Sequence, residues 1–195
     1  MHEENGVRFH LGCRVAAYEG GKLKLDDGSF IAPDLVVLGL GVTPRTDLAM
    51  NAGLACATED EGGGIIVDER LQTSVERIYA VGDVARYPDA RLGRPIRVEH
   101  WVHAQRQGQH VARLLLGLAD RFTDTPFFWS AHFDTGLRYL GHASSDAEAR
   151  IDGSLEKPSF VVHYGSGAEE QAVATCNRDD DALRVNVEWD RAAAS

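Results

Sequence analysis

The sequence predicts an α/β fold that becomes α+β toward its C-terminal end, and three observations support this prediction. Short continuous apolar runs, typical of strands buried on both faces in a parallel sheet, occur at Leu35–Leu38 and Ile78–Val81. A helical apolar pattern extends from about His100 to Leu116, and Gly117 follows as a C-terminal cap. After Pro126 the pattern favours several strands in succession.

Composition excludes several classes of protein. The 195 residues are 44% hydrophobic and 26% charged with a net charge of −10, which is typical of a globular chain. The acidic balance argues against non-specific nucleic-acid binding. No apolar run approaches the roughly 18 residues of a membrane helix, and the start at Met1–Glu4 does not resemble a signal peptide. Three separate cysteines (Cys13, Cys56 and Cys176) form no CxxC pair, which favours a reducing, cytoplasmic location.

The charge is unevenly distributed along the chain. Residues 1–85 carry 14 acidic and seven basic side chains, whereas residues 86–113 carry two acidic and six basic ones. Such a basic segment is either a solvated surface or a place where an acidic partner docks.

The remaining elements follow from local patterns. The expected strands before residue 90 are Val7–Leu11, Lys22–Leu25 and Ile65–Val67. A short helix is expected at Asp47–Gly53. The later elements are strands at Phe127–Trp129, Leu137–Leu140, Phe160–Tyr164 and Gln171–Thr175, a hairpin turn at Gly165–Gly167, and a helix from Asp179 to Trp189.

The segment Glu59–Gly64 predicts an exposed crossing between domains. Its three glycines invite comparison with a phosphate-binding loop. That interpretation fails because no helix follows and neither a Lys-Ser/Thr pair nor GxGxxG spacing is present.

The most informative motif runs from Thr73 through the apolar residues Ile78–Val81 to Gly82 and Asp83. In open α/β sheets, ligands bind beyond the carboxyl ends of strands. A glycine there allows close backbone approach, and an aspartate accepts hydrogen bonds from ligand hydroxyls. A Gly-Asp pair alone is usually a plain turn. The motif becomes specific for a ligand site only together with the preceding strand and the residues that follow.

This motif resembles the second FAD-binding motif of the pyridine-nucleotide flavoprotein oxidoreductases. Val37–Pro44 resembles the strand and glycines before the return from their NAD domain to their FAD domain. Glu99–Trp101 and Phe128–Ser130 resemble the branch that contains ferredoxin, rubredoxin and putidaredoxin reductases and apoptosis-inducing-factor-like proteins. The absence of a CxxC pair agrees with this branch rather than with glutathione reductase.

The resemblance implies positions on the flavin side of the site. Asp83 would accept a hydrogen bond from the FAD ribitol, and Gly82 would permit the approach. Trp101 would lie at the pyrimidine side of the flavin with its N–H directed at a carbonyl, and Trp129 would lie close to the ring. Without the resemblance, both tryptophans would be interpreted as core aromatics.

On the nicotinamide side, the resemblance places Glu99, Gly39 and Gly41, and His100 joins the predicted cofactor-binding set. The cofactors implied are FAD and NAD(P)H. Electrons would pass from NAD(P)H through FAD to a ferredoxin- or rubredoxin-type acceptor, and a homodimer is also implied.

The sequence departs from the family because it contains no GxGxxG fingerprint. Both fingerprints would precede Met1, so complete nucleotide sites would require upstream residues. The expected organisation is the tail of an NAD(P)-binding domain (1–58), the end of an FAD-binding domain (59–120) and a reductase C-terminal domain (121–195). The alternative is a non-catalytic, truncated module that serves dimerisation or acceptor docking.

Weaker constellations were interpreted as structural. His100, His103 and His110 share a helical face, and the first two have HxxH spacing, but no Cys or clear third ligand is spaced to complete a zinc site, so no metal is expected. The cysteines are expected to be small buried or half-buried residues. His132 and Asp134 near Trp129 are interpreted as an ordinary strand end rather than an acid–base pair.

Overall fold

A three-stranded antiparallel sheet forms the first part of the computed structural model, which describes residues 1–166 and 169–193. The chain divides into two units, residues 1–42 and residues 43 onward. In the first unit, a 3₁₀ turn precedes strands β1 (Val15–Glu19), β2 (Lys22–Leu25) and β3 (Phe30–Ile31). Gly20 and Gly21 join β1 to β2, and both have positive φ, as a two-residue hairpin turn requires.

Two predicted strands of the first unit do not form. Val7–Leu11 and Leu35–Leu38 have no strand conformation, and Leu35, Val37 and Leu38 are at least 75% exposed. An apolar run becomes a buried strand only when neighbouring strands take up its backbone hydrogen bonds. The three strands of this unit pair among themselves, so the prediction of a buried parallel strand at Leu35–Leu38 was wrong.

The second unit contains three helices and eight strands among the described residues. Its first half comprises α1 (Asp47–Asn51), β4 (Ile65–Ile66), β5 (Ala85–Asp89), β6 (Arg94–Ile96) and α2 (Trp101–Leu115). Its second half comprises β7 (Phe127–His132), β8 (Thr135–Gly141), β9 (Glu148–Ser154), β10 (Ser159–Ser166), β11 (Glu169–Cys176) and α3 (Asp179–Ala193).

A small mixed sheet supports the region of the Gly82-Asp83 motif. Strand β4 pairs in parallel with β5, and β5 pairs antiparallel with β6. The predicted strand Ile78–Val81 is not formed, because Arg77 adopts φ +66° and the local hydrogen bonds of Ile78 close a turn. One isolated bridge joins Tyr79 to Gln72. The strand therefore begins at Ala85, after the motif instead of before it.

The predicted long helix is confirmed as α2. His100 caps its N-terminus, and Gly117 follows its last turn with φ +72°. The helix packs above a core of residues that are less than 9% exposed: Val67, Leu71, Ala80, Ala85, Tyr87, Ile96 and Phe122.

The C-terminal half is a five-stranded antiparallel sheet in the order β7-β8-β11-β10-β9, with α3 packed on β8 and β11. The four predicted strands and the final helix are confirmed. The predictions missed β9, which is an edge strand with almost every residue exposed and therefore lacks an apolar face. The predicted turn at Gly165–Gly167 lies partly outside the described residues, since Gly167 is not among them.

The arrangement of helices on sheets agrees with the predicted α/β class, with the parallel pairing limited to β4 and β5 in the described residues. Within those residues, no helix has the length and apolar character needed to cross a membrane. The division at residue 42 does not test the predicted domains 1–58, 59–120 and 121–195, which stay a prediction.

Candidate functional site

The Gly82-Asp83 motif forms a 3₁₀ turn between an extended Val81 and strand β5. Gly82 is buried with φ +79°, and a Cβ there would approach the Ala104 Cβ of α2 to 3.3 Å. Asp83 is exposed, and within residues 1–166 and 169–193 no donor meets its carboxylate. The turn therefore presents an unpaired acidic group at the surface while its backbone lies against α2.

The N-terminus of α2 lies beside this turn. The His100 Nδ1 accepts a hydrogen bond from the Val102 N–H at 3.3 Å and caps the helix. As the first helical residue, Trp101 has no intrahelical acceptor for its own N–H. Partial burial lowers the pKa of His100, an effect that the nearby Asp83 carboxylate opposes. The helix end thus keeps a neutral cap and an N–H that is available to a negatively polarised ligand atom.

Four rings gather at the same helix end. The Trp101 and Trp129 ring centroids are 5.5 Å apart, and His100 lies 5.5 Å from Phe128 and 6.1 Å from Trp129. Trp101 is 58% exposed and Trp129 is 45% exposed, which is unusual for such large apolar side chains. We call these four residues the aromatic group; an exposed cluster of this kind marks a binding surface.

Arg97 connects the turn to the triple-glycine segment and to Glu99. Its Nε donates to the Gly62 carbonyl at 2.9 Å, and its Nη1 donates to the Asp83 carbonyl at 2.9 Å. The same Nη1 forms an ion pair with Glu99 Oε1 at 2.6 Å. A Cβ on Gly64 would come within 2.8 Å of the Arg97 side chain, so this glycine is required for the packing. Glu99 is therefore fixed close to Asp83 through one arginine.

The middle of α2 is buried and polar. The Gln107 Oε1 accepts a hydrogen bond from the Gly82 N–H at 2.7 Å, and the Gln107 Nε2 lies 3.3 Å from the His103 Nε2. The rings of Tyr87 and Phe122 surround His103, each about 5.4 Å away between centroids. Burial lowers the pKa of His103 to about 4, and it raises the pKa of Tyr87 above its usual value.

The basic segment 86–113 is engaged within the chain. Arg91 donates to the Glu170 and Gln171 carbonyls and lies 3.9 Å above the Trp189 ring, while Arg94 donates to the His142 carbonyl. Burial lowers the pKa of Arg91. These guanidinium groups hold β5 and β6 to the C-terminal sheet, which weakens the interpretation of this segment as a free docking patch.

The structure brings together six of the eight predicted cofactor-binding residues: Gly82, Asp83, Glu99, His100, Trp101 and Trp129. The other two, Gly39 and Gly41, belong to the first unit, where Gly41 has φ +86°. Sequence reasoning missed the roles of Arg97 and Gln107. Their signal was spacing: Arg97 lies two residues before Glu99, and Gln107 lies one turn beyond Ala104, on the helix face that meets Gly82.

Other polar constellations show no metal-binding arrangement in the described residues, where no group of three His, Cys, Asp or Glu side chains could hold an ion. As expected, Cys176 is buried, and Cys13 and Cys56 are half-buried. On β7, the Ser130 hydroxyl and the His132 Nε2 are 2.9 Å apart.

The surface is suited to a flat heterocycle that carries hydroxyl groups. The exposed rings of Trp101 and Trp129 offer an apolar contact for a flat heterocycle. The free carboxylate of Asp83 accepts hydrogen bonds from hydroxyl groups, and the N-terminus of α2 favours a ligand atom that gains negative charge.

Comparisons with known proteins show the family to which the chain belongs. The sequence matches the family model for pyridine nucleotide-disulphide oxidoreductases over residues 1–108. It is 34% identical to human apoptosis-inducing factor 3, over 95% of this chain and 31% of that protein. It is also 34% identical to putidaredoxin reductase CamA of Pseudomonas putida, over 91% of this chain and 43% of that protein. The chain thus spans less than half the length of these curated relatives.

A solved structure, the covalent putidaredoxin reductase–putidaredoxin complex, matches with a TM-score of 0.86 at 32% identity. The match covers 95% of this chain and 45% of that chain. These relatives confirm the α/β class and the resemblance to the ferredoxin-reductase and apoptosis-inducing-factor-like branch, whose members are flavoproteins that use FAD and NAD(P)H. Since the family model covers more than half of the sequence, the chain belongs to the pyridine nucleotide-disulphide oxidoreductase family.

Proposed function

We propose that this chain is the flavin-contacting C-terminal portion of an FAD-dependent NAD(P)H oxidoreductase that passes electrons to a ferredoxin- or rubredoxin-type acceptor. The observation that carries the proposal is the free Asp83 carboxylate beside the capped N-terminus of α2 and the aromatic group. When bound, FAD supplies the conversion between the electron pair of a nicotinamide and the single electrons that an iron–sulfur acceptor takes.

Asp83 holds the ribitol chain of FAD in this proposal. Its carboxylate accepts hydrogen bonds and has no competing donor within the described residues. Gly82 lets the backbone lie against α2, so the next residue points outward.

Trp101 and Trp129 contact the flavin ring system. The backbone N–H of Trp101 donates to a flavin carbonyl. His100 positions this N–H indirectly, because its ring caps the helix at Val102 and packs against Phe128 and Trp129. An α-helix N-terminus at this position favours electron density on the bound ring.

Glu99, Gly39 and Gly41 belong to the nicotinamide side. Glu99 is held by Arg97 at 2.6 Å, which gives the carboxylate a fixed position. We retain residues 1–58, 59–120 and 121–195 as parts of the NAD(P)-binding, FAD-binding and C-terminal domains. The similarity to putidaredoxin reductase supports a small iron–sulfur partner, and a homodimer is retained as a proposal.

Titration of FAD fluorescence with the purified chain tests the proposal. We expect weak binding by the chain, because only part of the FAD site lies in it, and an affinity at least about tenfold weaker still in Asp83→Ala, since a hydrogen bond to a charged acceptor is lost. Asp60→Ala provides the matched control, because Asp60 is an exposed acidic residue of the crossing segment.

The results of these titrations test the role of Asp83 and the function of the chain separately. Equal FAD affinity in Asp83→Ala and the unaltered chain would remove Asp83 from the site. A chain that shows no FAD binding but dimerises would favour the non-catalytic module instead.

A further inference from the structure

A buried glutamine in the middle of α2 fixes the turn that carries Asp83. Gln107 has no solvent exposure, and its Oε1 accepts the Gly82 N–H at 2.7 Å. We infer that Gln107 is a positioning residue for the Gly82–Val84 turn. What the turn binds rests on the proposed function, whereas the positioning itself rests on these contacts.

The Gly82 N–H depends on a side-chain acceptor. Gly82 is buried with φ +79°, and a Cβ on this residue would lie 3.3 Å from the Ala104 Cβ of α2. A buried backbone N–H without a partner is costly, so a donor pressed against a helix needs an acceptor from that helix. Gln107 lies three residues after Ala104, on the same face of α2, and its side chain reaches the N–H.

The Gly82 N–H sets the orientation of the Gln107 amide, and His103 lies on the other side of that amide. With Oε1 facing Gly82, the amide nitrogen donates toward the His103 Nε2 at 3.3 Å. This nitrogen accepts only when the imidazole is neutral and protonated on Nδ1. Burial lowers the pKa of His103 to about 4, which keeps it neutral near pH 7. If the Gln107 amide were rotated by 180°, its nitrogen would face the Gly82 N–H, and both of these groups are donors.

The turn is thereby held from two sides. On the inner side, Gln107 accepts a hydrogen bond from the Gly82 N–H, which is the first N–H of the turn. On the other side, Arg97 donates a hydrogen bond of 2.9 Å to the Asp83 carbonyl. With the Gly82 N–H and the Asp83 carbonyl both engaged in hydrogen bonds, the carboxylate of Asp83 stays directed outward and unpaired. Positioning through Gln107 thus prepares the acidic group before any ligand arrives.

Amide hydrogen exchange at Gly82, measured by NMR on the 195-residue chain, tests the inference. Gln107→Met keeps the length of the side chain and removes both hydrogen bonds, so we expect Gly82 exchange to accelerate by about tenfold or more. Gln107→Glu restores an acceptor and is expected to return the rate to within about threefold of the original. Gln109→Met is the matched control, because Gln109 is an exposed glutamine on the same helix.

Gln107→Leu replaces Gln107→Met in this measurement if the first variant fails to fold, as judged by circular dichroism, because it also removes the acceptor of the Gly82 N–H. Unchanged Gly82 exchange in whichever of these two variants folds would overturn the inference. His103→Phe keeps Gln107 and removes the acceptor of its amide nitrogen, and a smaller acceleration of Gly82 exchange in this variant would support the contribution of His103.

FAD titration of the same variants separates this inference from the proposed function. We expect affinity about tenfold weaker in Gln107→Met, recovery in Gln107→Glu and no change in Gln109→Met. Equal FAD affinity in Gln107→Met and the unaltered chain would overturn the positioning role while leaving the function standing. Absence of FAD binding by the unaltered chain would count against the function, and Gly82 exchange would still decide the role of Gln107.

Discussion

The two parts of helix α2 have opposite surroundings. At its N-terminus, Trp101 is exposed beside Trp129 and the unpaired carboxylate of Asp83. Two and six residues later, His103 and Gln107 are almost fully buried. The difference shows that one helix has two roles. Its exposed end presents groups to a ligand, and its buried part stabilises the fold. Substitutions at the two parts should therefore affect different measurements.

The largest effect is expected beside the buried part of α2, in Phe122→Ala. Phe122 is 2% exposed, and the rings of Tyr87, His103 and His110 lie within 5.5 Å of its centroid. Removing this ring leaves a cavity, so the free energy of unfolding should fall by about 4 kcal/mol. Urea denaturation followed by circular dichroism measures the change.

Trp101→Ala is the corresponding change at the exposed end. Since most of the Trp101 side chain is already in water, the free energy of unfolding should fall by about 1 kcal/mol or less. A loss as large as that of Phe122→Ala would contradict the division of tasks along the helix.

The next largest effect concerns pH and arises at His103. Folding lowers the pKa of this imidazole from 6.5 to about 4, because burial disfavours its charged form and Arg106 opposes its protonation. The unfolded chain therefore binds more protons between these values. Stability is fully present above about pH 6.5 and is lost as the pH falls toward 4, by about 3 kcal/mol in total. Urea denaturation at pH 7.5, 6.5, 5.5 and 4.5 measures this dependence.

His103→Gln isolates the contribution of His103, because a glutamine does not titrate and its oxygen can accept from Gln107. Burial also lowers the pKa of His142, so part of the pH dependence should persist in the variant. The difference between the two profiles belongs to His103, and identical profiles would show that its neutral form does not stabilise the fold.

The sequence was sufficient to predict the parts of this molecule that depend on local patterns. The limits of α2, its glycine after the last turn and four of the five strands of the C-terminal sheet follow from periodicity and capping. The grouping of Asp83, Trp101 and Trp129 was predicted through a family resemblance, because periodicity gives no distance between residues so far apart in sequence.

Three-dimensional partners explain the errors and omissions. Leu35–Leu38 has the composition of a buried strand, but a strand also needs neighbours, and those available in the first unit pair with each other. Edge strand β9 lacks an apolar face. Gln107 is a polar residue whose burial becomes understandable only when its contact with the Gly82 N–H is seen, 25 residues away in sequence.

The smallest effect is expected in the segment just before α2, in Glu99→Gln. This change removes the charge that pairs with Arg97, but Arg97 keeps its hydrogen bonds to the carbonyls of Gly62 and Asp83. Glu99 is partly exposed, so water and salt screen the pair, and the free energy of unfolding should change by less than about 1 kcal/mol. Urea denaturation at low and high salt measures the change, which should shrink further in high salt. Arg97→Met, which removes all three contacts, should cost more than Glu99→Gln, because two backbone carbonyls then lose their donor. Equal losses in the two variants would assign the stability of this segment to the ion pair and would remove Arg97 as the group that holds the Asp83 turn.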